Sequence, residues 1–289
     1  MPAFATQKNI EDYLVGYWPA NQGSGTLLID SSKYNITGSM NNVQWAKDEF
    51  GNCLKLSVAA NSSITFGTRI TDALARAQGM TFSAWIKLPD GSDTSRNRFF
   101  GTFLGGVVGS EVYMFPSQKQ LVIGLRSTLS DQWMSKSYNF AEFGKWIHLA
   151  VVASYREKFA RVYVNGYELP PKDNTSYVGF GSKYYDSATS TGQDYIAGDG
   201  TTSMNGYMKE IRIYRTALSA EDVAGLASKW ETETSEATVQ ASQKWAEDEP
   251  VNNFMPKVVL MHTDRTHYFK FNGISQVDHD NYSVAPFEE

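Results

Sequence analysis

The chain has 289 residues, 42% of them hydrophobic and 20% charged, a globular composition that excludes wholesale disorder and collagen-like repeats. Its 26 basic and 31 acidic side chains leave a net charge of −5 without the clustered Lys and Arg that sequence-independent nucleic-acid binding needs. The single cysteine, Cys53, excludes an internal disulfide framework and any multi-cysteine zinc site, and no apolar run reaches the ~18–20 residues of a bilayer span.

In chain order, residues 1–8 lack the basic patch and apolar core of a secretory signal, so none is expected. Residues 72–77 predict a turn or two of helix ended by Gly79. Residues 81–86 and 121–125 alternate as strands, whereas 146–152 is more continuously apolar, as expected of a strand covered on both faces. Residues 161–164 run into Asn165-Gly166 and out through Tyr167-Glu168; Asn-Gly tolerates the positive φ of a type I′ hairpin turn. Residues 210–214 form a further alternating strand. Ser219 and Asp222 have capping-box spacing ahead of Val223, Leu226 and Trp230, which predicts a helix over 219–230. The long loops 88–98 and 172–203 are of the kind that carries function or contacts. Many short strands with little helix predict an all-β, two-sheet antiparallel jelly-roll sandwich over 1–229.

After Trp230 the chain becomes Glu-, Thr-, Ser-, Ala- and Gln-rich. Residues 230–289 hold 4 basic and 11 acidic side chains, a local charge of −7. They read as an acidic C-terminal arm: a linker or lightly packed helix over 231–250, then a hairpin at about 257–271. A lone hairpin is marginal in water, so the arm is expected to lean on the sandwich or on another subunit.

Six segments, taken in order, resemble a laminin-G-like domain of the concanavalin A-like lectin/glucanase superfamily over roughly 12–228. They are Gly16-Tyr17-Trp18-Pro19 with Gly23-Ser24-Gly25-Thr26 and Asp30-Ser31-Ser32; Leu54-Lys55-Leu56; Met80-Thr81-Phe82-Ser83-Ala84-Trp85-Ile86; Lys145-Trp146-Ile147-His148-Leu149-Ala150; Val162-Tyr163-Val164-Asn165-Gly166; and residues 205–219, beginning Asn205-Gly206-Tyr207. The resemblance implies a jelly roll whose final strand returns beside the first, with Trp18, Trp85 and Trp146 as bulky packing residues. It specifies a fold and no activity.

Glycosidases of this superfamily carry a Glu-x-Asp-x-Glu type strand, whose period of two puts the carboxylates on one face. No such strand is present: Glu247-Asp248-Glu249 has the wrong spacing, Glu221-Asp222 begins a helix, and His148 lies in a core-type strand. A phosphate-binding glycine loop followed by Lys is also missing. Laminin-G-like domains often hold calcium at the rim through loop carboxylates. Where the family commonly has an Asp before its last strand, this chain has Lys209-Glu210, leaving Asp30, Asp194 and Asp199 as candidate calcium donors against a reading as turn aspartates. In the arm, His262, Asp264 and His267, with Asp278, His279 and Asp280, read either as a metal site or as hairpin-tip and interface residues, His262 and His267 facing each other across the turn.

Aromatic residues on polar loops stack on sugars, which makes Trp133, Tyr184, Tyr185, Asp194 and Tyr195 the candidate glycan-binding set; the competing reading is loop anchoring or a subunit interface. Candidate assembly contacts in the arm are His262, His267, Tyr268, Phe269, Phe271, Tyr282 and Phe287. Tailed-phage virions use laminin-G-like domains as capsid decorations and fibres. The expected function is therefore a non-enzymatic virion structural protein, made in the host cytoplasm and displayed on the particle surface. It would contact major capsid or fibre subunits as an oligomer or assembly subunit, with host or environmental glycans as further partners and no nucleic acid, membrane insertion or obligate cofactor. An autonomous carbohydrate-binding module of cellular origin and a glycoside hydrolase are the alternatives.

Overall fold

The structure is a computed structural model that describes residues 9–48, 50–104, 107–128, 133–172, 181, 183–184, 192–228, 257–262 and 265–270. The chain divides into two units, Met1–Ala227 and Ser228–Glu289. Its strands are β1 (Leu14–Trp18), β2 (Leu27–Leu28), β3 (Gly38–Asn41), β4 (Gln44–Asp48), β5 (Gly51–Leu56), β6 (Ser63–Thr65), β7 (Gly79–Lys87), β8 (Asn97–Leu104), β9 (Val107–Phe115), β10 (Gln120–Leu125), β11 (Met134–Asn139), β12 (Ile147–Ser154), β13 (Phe159–Val164), β14 (Tyr167–Glu168), β15 (Tyr195–Ile196), β16 (Gly206–Tyr214), β17 (Lys257–His262) and β18 (Arg265–Lys270). Among the described residues, α1 (Arg69–Leu74) and α2 (220–228) are the two α-helices, and Ile10–Tyr13 and Pro116–Gln118 form short 3-10 turns.

In the first unit, alternation along the strands resolves into two antiparallel sheets of eight strands. One runs β14-β13-β12-β7-β16-β5-β4 with β1 also paired to β16; the other runs β11-β10-β9-β8-β15-β6-β3-β2. As the resemblance implies, the last strand of the sandwich, β16, lies beside the first, with Trp18 opposite Ile211. The inward faces meet in one apolar core. Phe82 of the first sheet stacks on Phe100 of the second with ring centroids 5.1 Å apart, and Trp18 tilts against Phe66 at 5.1 Å. Each such ring contributes about 1.5–3 kcal/mol on burial. The Trp18 indole N–H donates to the Ile36 carbonyl at 2.8 Å, which satisfies its one polar atom inside the core.

The β13–β14 hairpin turns at Asn165 and Gly166 with φ of 50° and 82°, the type I′ geometry expected of Asn-Gly. β12 is buried along its whole length, also as expected. The sequence does not anticipate that β7 is buried at every residue from Gly79 to Ile86 despite its alternating pattern. A second apolar cluster explains this. Leu14, Ala150, Val152, Tyr163 and Tyr214 on the outer face of the first sheet pack with Leu218, Val223 and Leu226, so α2 and its lead-in cover that face. Trp85 belongs to this outer face, against His148 at 5.6 Å, and Trp146 is half-buried with its N–H donating to Asp48 at 2.6 Å; only Trp18 of the three packs between the sheets.

The caps differ in fidelity to the sequence. At α2 the capping box forms reciprocally: the Asp222 N–H donates to Ser219 Oγ at 3.1 Å and the Ser219 N–H to Asp222 Oδ2 at 3.0 Å. The first helix lies over 69–74 rather than 72–77. Tyr184 from the long loop pairs with the backbone beyond it, accepting from the Arg76 N–H at 3.1 Å and donating to the Ala77 carbonyl at 2.6 Å. That pairing holds Arg76 at φ 63° and stops the helix before the alanine run is used up.

In the second unit, β17 and β18 form an antiparallel hairpin in which His262 pairs with Arg265 and His267 with Leu260. The two histidines stand two rungs apart, with the Met261–Thr266 rung between them, and are not cross-strand partners, which corrects the expected pairing. Asp264, Phe271, Asp278, His279, Asp280, Tyr282 and Phe287 lie outside the described residues.

Candidate functional site: the outer face of the second sheet

The outward side chains of the second sheet line up in cross-strand rows. One row runs Thr65, Tyr195, Gly101, Glu111, Gly124, Ser135 through β6, β15, β8, β9, β10 and β11; the next runs Arg98, Tyr113, Val122, Ser137. In β9, Val112 and Met114 point into the core while Glu111 and Tyr113 point out, because successive residues take opposite faces. Glu111 thus stands between two glycines, and an aromatic ring covers each of them. A Cβ at Gly101 would overlap the Tyr195 phenol ring, and one at Gly124 would overlap the Trp133 indole. The glycines are there so that the rings can lie flat on the sheet.

Charges then organise around the buried Glu111. Its Oε1 pairs with Arg98 Nε at 2.6 Å and accepts the Tyr195 hydroxyl at 2.8 Å; its Oε2 pairs with Arg96. Arg98 also pairs with Asp199, whose carboxylate accepts from the backbone N–H groups of Thr201 and Thr202 at 2.9 Å and so fixes the turn before β16. The Arg96 guanidinium lies 3.7 Å from the centroid of the Tyr113 ring, a cation–π stack, and Phe115 meets the edge of the same ring at 5.7 Å. Burial raises the hydroxyl pKa of Tyr113, opposed by Arg96, and raises that of Tyr195, reinforced by the Glu111 charge; both stay neutral hydrogen-bonding groups. The half-buried Trp133, Tyr113 and Arg96 give this face flat apolar surface beside a fixed cation.

Of the predicted glycan set, Trp133 and Tyr195 come together on this face, on either side of Glu111. Tyr184, Asp194 and Tyr195 are 1%, 0% and 1% exposed, which corrects their assignment to the glycan-binding set: no ligand reaches them. Tyr184 packs against Tyr155 at 5.5 Å and bonds Thr102 at 2.7 Å, so it anchors the long loop in the core. Asp194 holds α1 to β8, accepting from the Thr71 N–H at 2.7 Å, the Thr71 hydroxyl at 2.6 Å and the Phe103 N–H at 3.2 Å. Tyr185 lies outside the described residues.

The calcium donors do not converge. Asp30 accepts from the N–H groups of Tyr17, Ser32 and Ile36, sharing no partner with Asp194 or Asp199. Among the described residues no group of three or more His, Cys, Asp and Glu could hold a metal ion. At the position where the family commonly has an Asp, Lys209 is buried, 3.4 Å from Asp48 and 4.7 Å from the Trp146 ring centroid; burial lowers its pKa, opposed by Asp48.

Sequence reasoning missed Arg96, Arg98 and Glu111. Arg98 and Glu111 alternate along their strands with the inward Phe99 and Val112, but β8, β9 and β15, which bring these charges together, had no motif to mark them in the sequence.

Comparison with known proteins agrees with this architecture. A family model described as the concanavalin A-like lectin/glucanases superfamily (Laminin_G_3) matches residues 59–224. The chain belongs to this superfamily. No curated protein sequence matches it. Among solved structures, the receptor-binding domain of botulinum neurotoxin C/D mosaic serotype is similar with a TM-score of 0.57 at 13% identity, over 76% of this chain and 52% of that one. The binding domain of botulinum neurotoxin DC in complex with rat synaptotagmin II is similar with a TM-score of 0.55 at 14% identity, over 77% and 52%. A third similar structure, with a TM-score of 0.55 at 15% identity over 77% and 52%, is titled for the dependence of botulinum neurotoxin type C cell entry on two ganglioside molecules. The superfamily member described here therefore has a lectin-like sandwich fold and spans about half the length of those domains.

Proposed function

We propose that the sandwich is a non-enzymatic glycan-binding module, and that its binding face is the outer surface of the second sheet around Trp133, Tyr113 and Arg96. The observation that carries the reading is Trp133, held half-exposed and flat over Gly124 beside the Arg96–Tyr113 stack. Sugars present apolar C–H faces ringed by hydroxyls, and a flat indole next to hydrogen-bond donors such as Arg96 and acceptors such as Ser135 and Ser137 suits both. The interaction with gangliosides and the complex with synaptotagmin II named in the titles of the similar toxin structures support a recognition role for this fold.

Catalysis is not part of the reading. A glycosidase needs a reachable acid whose protonation changes during the reaction. Glu111 is buried, and both its oxygens are engaged by Arg96, Arg98 and Tyr195.

The module works, on this reading, on the surface of a tailed-phage particle as a decoration or fibre component. A lectin-like sandwich that folds without a disulfide suits synthesis in a reducing cytoplasm, and the acidic segment supplies an attachment arm. Isothermal titration of glycans selected on an array tests the binding face. The expected result is saturable binding that Trp133→Ala weakens at least tenfold. Binding that survives Trp133→Ala unchanged, or no glycan bound by the wild type, would overturn it.

A further inference from the structure

At the end of the first sheet, away from the cross-strand rows around Trp133, a cleft of about 650 Å³ opens between the start of β7, the ends of β12 and β16, and the segment after α1. Its volume is that of a small-molecule site. Arg76, Arg156 and Arg215 line it from three different elements, with Asp12 and Glu157. Gly79 lies among them, and a side chain there would run into the backbone of Ala217 and Ala153, so the strands can close up behind the cleft.

The three arginines and two carboxylates give the lining a net charge of +1. Among the described residues no ion pair joins Arg156 or Arg215 to Asp12 or Glu157. Arg215 uses one guanidinium nitrogen on the Ala75 carbonyl at 3.3 Å, which orients the fork and leaves its other N–H groups for a ligand. Guanidinium forks match carboxylate and sulfate oxygens in pairs, which a lysine ammonium does not. The two carboxylates would repel a bare anion, but they accept hydrogen bonds from hydroxyl groups. A ligand that satisfies both halves of the lining carries one acidic group and several hydroxyls.

We infer that this cleft is a second saccharide site, selective for a sugar bearing a single acidic group, a carboxylate or a sulfate ester. That the anion belongs to a saccharide rests on the glycan-binding function proposed above. The cleft is distinct from the Trp133 face, so the two can be separated by mutation.

Isothermal titration of the full chain with methyl α-N-acetylneuraminate and with glucosamine 6-sulfate tests the inference, the two probes separating carboxylate from sulfate. Binding of at least one is expected. It should be weakened tenfold or more by the pair Arg156→Ala and Arg215→Gln, weakened by added salt, and unchanged by Trp133→Ala. Thermal melts verify that the double variant is folded, and Arg156→Ala alone, at an exposed position, should weaken binding severalfold if the pair does not fold. Binding that the arginine variants spare and Trp133→Ala abolishes would put the acidic sugar on the second sheet, overturning the cleft and upholding the proposed function. If the wild type binds neither probe, the cleft reading falls, while neutral glycans on the array decide the function separately.

Discussion

Asp194 and His148 are both buried and ionisable, and burial moves them in opposite directions. Asp194 is pushed up to about 6 by burial, against the pull of Thr71 and of the N–H groups of Phe103 and Ile70. His148 is pushed down to about 3 by burial and then by the Arg212 charge; it meets Ser83 Oγ at 2.8 Å through Nε2. The folded state holds the Asp194 proton more tightly than the unfolded chain, so between pH 6 and 4 acidification stabilises the fold through this group. It holds a proton on His148 less tightly, so acidification from 6.5 toward 3 destabilises it through that one. Each slope is about 1.4 kcal/mol per pH unit, and between pH 4 and 6 they cancel. Removing one group exposes the other. Asp194→Asn should lose about 3 kcal/mol of stability between pH 6 and 4 relative to the wild type. His148→Gln should gain a similar amount over the same interval. Urea melts at pH 4, 5 and 6 check this, and parallel curves for all three proteins would mean that neither group titrates as its burial dictates.

At the scale of elements, α2 shows how a short helix is kept by its ends and its buried face. Nine residues are too few for independent helix stability in water. Val223 and Leu226 bury against the outer face of the first sheet, and Ser219 and Asp222 close the N-terminus. Ser219→Ala removes an N-cap and should cost about 1 kcal/mol in a thermal or urea melt. Because Tyr163 and Tyr214 pack in the same cluster, their fluorescence should report the loss; an unchanged melt would mean that packing alone holds the helix. This element was legible in the sequence because cap and apolar spacing are local, as was the Asn165-Gly166 turn. The boundaries of α1 were not, because Tyr184, more than a hundred residues downstream, decides where that helix stops. The binding face was legible only in part for the same reason. Trp133 stood out as an aromatic residue in a loop, whereas Glu111 on β9 gains meaning only when β8, with Arg96 just before it and Arg98 on it, and β15, with Tyr195, are brought beside it.

At the scale of the whole molecule, the two apolar clusters and the two eight-stranded sheets are, among the described residues, built from the first unit. A sandwich of this kind has what an independently folding domain requires, a large hydrophobic core of its own between its two sheets. Deleting 231–289 should therefore leave a protein that melts cooperatively and keeps its glycan binding. What the deletion should remove is attachment. In the proposed setting of a phage particle, the full chain co-sediments with the major capsid protein on a density gradient, in a stoichiometry that separates a decoration from a fibre, while the truncated chain stays in the soluble fraction. Particle proteomics of a complemented lysate reads both at once. A truncated chain that still incorporates would assign attachment to the sandwich, and a full-length chain found only in the soluble fraction would favour an autonomous carbohydrate-binding module, because the only contacts left to explain would then be those with the sugar.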